Sequence, residues 1–206
     1  KKINLTDSDL KKLFDYEAET FREQQALDFW KFSFLSYGLN LNDIFRIEKE
    51  NVDDKYFKYI RKKTFNNVNT VEESRVKINE VMRQVIKRNS GKGHYLFPLL
   101  NKSDSEEKMV KKIDNKGNSF ANQLKKIAKK INIPEFTMTW ARHSYSTKAL
   151  RDGYSMKQVG ELMNHGSTKT TENYFAGFTT ESADEIQDSL SNFENVAKII
   201  SSLRKI

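Results

Sequence analysis

Thr139-Trp140-Ala141-Arg142-His143-Ser144-Tyr145-Ser146-Thr147 and Leu162-Met163-Asn164-His165-Gly166-Ser167-Thr168-Lys169-Thr170-Thr171-Glu172-Asn173-Tyr174 carry the most specific signal in the sequence. Thr139 to Asp152 reads as one helix. Ser155 and Gln158 form a capping box for the next, which runs through Val159, Leu162 and Met163 until Gly166 breaks it. A further helix holds Thr170, Thr171 and Tyr174. Each notable residue has an ordinary reading when taken alone: Tyr174 as a core aromatic, Arg142 as a surface ion-pair partner, His165 as an exposed turn histidine. Their joint spacing, with Tyr174 nine residues after His165, argues for one shared site.

Upstream, Thr6-Asp7-Ser8-Asp9 caps a first helix with Leu10, Leu13 and Phe14 on one face. Phe21 to Tyr37 is dense enough in apolar residues for a mostly buried helix that Gly38 ends. A short polar helix is expected around Asn42 to Glu50, then a hairpin over about 55 to 72, because Tyr56 to Arg61 is aromatic and β-branched. From Ser74 onward Ile78, Val81, Met82, Val85 and Ile86 trace a helical face that the Asn89 to Gly93 loop closes, and His94 to Pro98 is a short apolar connection. Asn101 to Gly117 is polar and Lys-rich, followed by Phe120, Leu124, Ile127 and Ile131 at helical spacing. Lys125, Lys126, Lys129 and Lys130 read as the wet face of that helix, an edge able to meet phosphate without being assigned a site. A last apolar stripe runs from Ile186 to Leu203. The fold class is therefore mainly α with a small antiparallel β-sheet.

The 206 residues suit one domain. The expected division is a core over 1–180 and a tail helix over 181–206. Lys1 opens the chain without a methionine, which reads as a fragment excised from a longer protein whose N-terminal domains lie elsewhere. With 37% hydrophobic and 31% charged residues, no apolar run of the roughly 18 residues needed for a membrane span is present. Zero cysteines exclude disulfides, thiolate catalysis and cysteine-ligated zinc, and fit a reducing cytoplasm. A net charge of +8 favours a polyanionic partner, though an ordinary Lys-rich protein has the same balance.

The paired stretches quoted above resemble the signature of the tyrosine recombinases, the phage-type integrases, in their catalytic domain. The family carries an Arg-His-(Ser/Thr) helix, a Leu-Gly-His-Ser turn and a tyrosine nine residues past that histidine. The resemblance implies cutting and rejoining of double-stranded DNA, with Tyr174 as nucleophile, Arg142 on the phosphate and His165 donating hydrogen bonds or shuttling a proton. In Arg61-Lys62-Lys63-Thr64, Lys63 matches the lysine that protonates the leaving 5′ oxygen; a charged hairpin tip is the competing reading. Such chemistry calls for neither metal nor cofactor. A guanidinium supplies two aligned, permanently charged donors for the pentacoordinate phosphate, and the covalent phosphotyrosine stores the bond energy for resealing.

Two positions depart from the pattern. In Gly38-Leu39-Asn40-Leu41-Asn42-Asp43, Asn40 stands at the family's first arginine, which some integrases of conjugative elements also lack, with Arg46 or Arg22 as candidate replacements in space. Thr139 stands at the histidine three residues before Arg142, while His143 reads as structural. The resemblance also implies a homo-tetramer on two DNA sites, a monomeric isolated domain, a tail that docks on a neighbour or on its own core, and accessory directionality proteins. A DNA-binding protein that kept the fold and lost activity is the alternative; a type IB topoisomerase is disfavoured by the short spacing.

Overall fold

The computed structural model describes residues 4–60 and 73–163. Seven α-helices and two strands are described there: α1 (Asp7–Asp15), α2 (Phe21–Leu35), α3 (Leu41–Ile44), β1 (Tyr56–Ile60), β2 (Glu73–Lys77), α4 (Glu80–Asn89), α5 (Glu106–Lys130), α6 (Thr139–Arg151) and α7 (Met156–Leu162). The mainly helical fold with a small antiparallel sheet is as the sequence predicts. Both anticipated capping boxes form, at Thr6 with Asp9 and at Ser155 with Gln158.

At the centre, α2 is buried almost all round, from Ala26 to Leu35 without a break. It packs on α4, α5 and α6. Its Phe29 ring lies 4.9 Å from Phe45, 4.8 Å from Phe97 and 5.1 Å from Phe120, joining three other segments into one aromatic cluster. Aromatic pairs at these separations add to the area they bury. Phe29→Ala leaves a ring-sized hole among rigid neighbours and is expected to lower unfolding free energy by about 3–5 kcal/mol, read from the urea midpoint.

Charge enters this core in a paired form. Asp28, 1% exposed, accepts from Arg88 Nε at 3.0 Å and Nη2 at 2.6 Å, from Asn89 Nδ2 at 2.7 Å and from Gln24 Nε2 at 2.8 Å. Lys31 is buried beside it with its ammonium on the Phe14 carbonyl at 2.9 Å. Burial lowers the Lys31 ammonium to about 8; the Asp28 carboxylate opposes the fall and Arg88 adds to it. The unfolded chain titrates this group near 10.5, so between pH 8 and 10.5 it binds more protons than the folded one and stability rises with pH. Below pH 8 the penalty is full. Lys31→Met should raise stability at pH 7 by about 2 kcal/mol and flatten that alkaline rise in urea titrations.

Two expectations are corrected. Residues 74–77 are strand, not helix: Phe57 and Val76 face each other across the register and are both buried, and the helix starts only at Glu80, where the Asn79 side chain accepts from Met82 N. The span 42–50 is not one helix. α3 stops at Ile44, and buried Phe45 and Ile47 turn the chain so that Glu48 bridges Tyr95, with a single 3-10 turn at Lys49–Asn51. The Lys-rich stretch before Phe120 belongs to the same helix as the residues after it, because Met109 and Ile113 continue their buried face. The hairpin tip and everything after Met163, including the expected tail, lie outside the described residues.

Candidate functional site

Arg142 is the one sequence-predicted site residue among those described; Lys63, His165 and Tyr174 lie outside them. Its helix, α6, buries Ala141, Ser144, Tyr145 and Ala149, and the three small residues let it lie close on α2. Ser144 Oγ accepts the Leu5 N–H at 2.9 Å and so pins the first described segment onto α6. The half-buried Arg142 side chain leaves this packed face toward the end of α2. There Nη1 donates to the Gly38 carbonyl at 3.2 Å, while Nη2 donates to the Met163 carbonyl at 2.6 Å. Both terminal nitrogens of the guanidinium are thus held by carbonyls from separate elements. Chemically this is a fixed cation with in-plane donors, suited to a phosphate.

Asn40, at the family's arginine position, has a local task. Its Oδ1 accepts the Asp43 N–H at 2.9 Å and its Nδ2 donates to Asp43 Oδ2 at 2.8 Å, capping α3. Arg46 is engaged by α5: its guanidinium holds Glu106 at 2.8 and 3.3 Å, and its Nε donates to Asn42 at 3.1 Å. Arg22 stands in the first turn of α2, roughly 20 Å along the helix from the end that meets Arg142. Its charge falls on Lys116, whose ammonium is lowered mainly by burial and secondarily by Arg22. Thr139 is exposed in the first turn of α6, and His143 is half-buried with its carbonyl accepting from Ser146 Oγ.

Behind Arg142, the Tyr145 ring packs on Phe34 and Tyr37, and among the described residues its buried hydroxyl has no hydrogen-bond partner. Burial pushes that phenol well above its ordinary value. Of the α5 lysines, Lys125 pairs with Glu135 at 3.1 Å, and Lys130 bridges Glu19 and Glu23 at 2.8 Å each. Lys126 and Lys129 are exposed. An open cleft of about 400 Å³ lies elsewhere, along β1, lined by Asp53, Asp54, Lys55, Tyr56, Lys58 and Arg75. No His, Asp or Glu cluster able to hold a metal occurs among the described residues. No described helix is long and apolar enough to cross a membrane.

The sequence places Gly38 at the end of α2 and Met163 on the helix that Ser155 caps, but does not show that both carbonyls meet on Arg142. The glycine itself was the available signal.

The model of the phage integrase family matches residues 4–181. No curated protein matches the sequence. Among solved structures, the Tn1549 transposon integrase in complex with circular intermediate DNA is 18% identical, with TM-score 0.55 over 89% of this chain and 64% of that one. The integrase from mycobacterium phage Brujita is also 18% identical, with TM-score 0.57 over 90% and 57%. The XerH site-specific recombinase bound to difH substrate is 12% identical, with TM-score 0.56 over 81% and 48%. The chain thus spans 48–64% of the length of these structures. With a match to the family model that takes in the described helices and the Arg142 motif alike, this chain belongs to the phage integrase family and has the tyrosine recombinase catalytic-domain fold.

Proposed function

We propose that this chain is the catalytic domain of a site-specific recombinase that cuts and rejoins double-stranded DNA through a covalent 3′-phosphotyrosine at Tyr174. The observation that carries the reading is Arg142, prefixed by the Gly38 and Met163 carbonyls within a motif that continues to His165 and Tyr174. The Tn1549 integrase and XerH neighbours were solved on DNA, and a net charge of +8 suits the same partner.

The Tyr174 phenol, deprotonated, attacks the scissile phosphorus, the bond to the 5′ oxygen breaks, and Lys63 supplies the proton that the leaving oxygen takes. Arg142 and His165 stabilise the charge that gathers on the non-bridging oxygens. A 5′ hydroxyl from the partner strand then attacks the phosphotyrosine and releases the phenol. The working assembly is a homo-tetramer on two DNA sites, residues 1–180 forming the core and 181–206 a tail helix that docks on a neighbour. Sequence selection is shared with N-terminal DNA-binding domains, and direction is set with accessory proteins.

A second reading, a DNA-binding member without cleavage, is favoured by Asn40, whose amide is taken up by Asp43 and brings no charge. A nicked suicide substrate carrying the protein's own site separates the two. The recombinase gives a covalent protein–DNA band on a denaturing gel; a binder shifts the same DNA on a native gel and gives no such band.

A further inference from the structure

We propose that the Tyr37–Gly38 turn is a positioning device for Arg142, making Gly38 a positioning residue for the strand cleavage proposed above, on which this inference rests. α2 ends at Leu35, and the next residues leave the helix abruptly: Tyr37 has φ 58° and Gly38 φ 74°, both in the left-handed region. The turn is locked from within. Gly38 N–H donates to the Ser33 carbonyl at 2.9 Å, and the buried Ser33 hydroxyl donates to the Leu39 carbonyl at 2.6 Å. The Tyr37 ring is braced against Tyr145, one turn along α6 from Arg142.

Gly38 then meets Arg142 at both ends of its side chain. Its carbonyl holds Nη1 at 3.2 Å. A Cβ at position 38 would stand 2.6 Å from Arg142 Cα and 2.7 Å from its Cβ and Cγ, closer than such atoms approach, and the Cα cannot yield without moving α6. Bare backbone at this position lets the root of the arginine sit against the turn while the tip reaches the turn's oxygen. The second carbonyl comes from Met163, the C-cap of α7 and two residues before His165. One guanidinium therefore ties α2, α6 and α7 together. An arginine held at two donors has surrendered its rotamer freedom before DNA arrives, which is what preorganised stabilisation of a transition state demands. Lysine has the charge but not the fork.

The test uses the whole 206-residue chain in three forms: wild type, Gly38→Ala, and Ser33→Ala, which loosens the turn without adding an atom. Side-chain ¹⁵N spectra, assigned with Arg142→Lys, report solvent exchange of the Arg142 guanidinium N–H groups; DNA affinity and single-turnover cleavage are measured alongside. Exchange at Arg142 should quicken at least tenfold in both variants, with DNA Kd within threefold of wild type and cleavage down tenfold or more. Unchanged Arg142 protection overturns the proposal, as does loss of cleavage that only follows loss of DNA affinity. If Gly38→Ala does not fold, Ser33→Ala decides on the same readouts. A wild type that binds its site without cleaving, yet whose Arg142 exchange responds as stated, removes the recombinase reading and leaves the positioning role standing.

Discussion

Tyr174→Phe is expected to erase the covalent protein–DNA band while leaving binding of the same DNA within threefold of wild type. The change removes one hydroxyl and keeps the ring, so any packing at that position is retained while the attacking oxygen is lost. Four of the seven described tyrosines are poor alternatives. Tyr37, Tyr59, Tyr95 and Tyr145 are all buried, and the Tyr145 phenol is held protonated by burial, the reverse of what a nucleophile at neutral pH needs. A band that survives Tyr174→Phe on the denaturing gel would place the nucleophile elsewhere and end the assignment.

Arg142→Ala should cut single-turnover cleavage by about a thousandfold, the scale on which removal of a preorganised donor acts. DNA affinity should fall far less, because one phosphate contact among several is lost; the slope of log K against log salt should drop by about one. Arg142→Lys separates charge from geometry. An ammonium cannot span the Gly38 and Met163 carbonyls as the guanidinium does, so its cleavage rate is expected between those of alanine and wild type. If lysine restored the full rate, the two-carbonyl arrangement would have no bearing on catalysis.

Elements whose boundaries are written locally were legible. Thr6 with Asp9 and Ser155 with Gln158 cap their own helices within four residues, and α6 ends within one residue of the span its sequence predicts. β2 was not legible, since its inward face is carried by Val76 while Ile78 leads straight into the periodicity of Val81, Met82 and Val85. Only the pairing of Val76 with Phe57, 19 residues upstream, decides between strand and helix there. At the site, Arg142 could be found because side-chain types at fixed spacing leave a pattern. Its two holders are backbone carbonyls, 104 residues before and 21 residues after it, and a carbonyl leaves no mark on a sequence. Asn40 shows the converse. The family pattern made it look like a missing cation, whereas Asn40-x-x-Asp43 is a helix cap in its own right.

The central place of α2 sets a schedule for synthesis. Its apolar surface is complete once Leu35 emerges, but the helix that covers its far side, α6, finishes at Arg151, and the Leu5–Ser144 hydrogen bond spans 139 positions. At translation rates of roughly 5–20 residues per second, about 6–23 s pass between the two. Through that interval the face of α2 that carries Trp30 and Phe34 lacks the cover that Phe136 and Tyr145 supply, so a nascent chain halted before residue 136 is expected to engage holdase chaperones more than one released after residue 151.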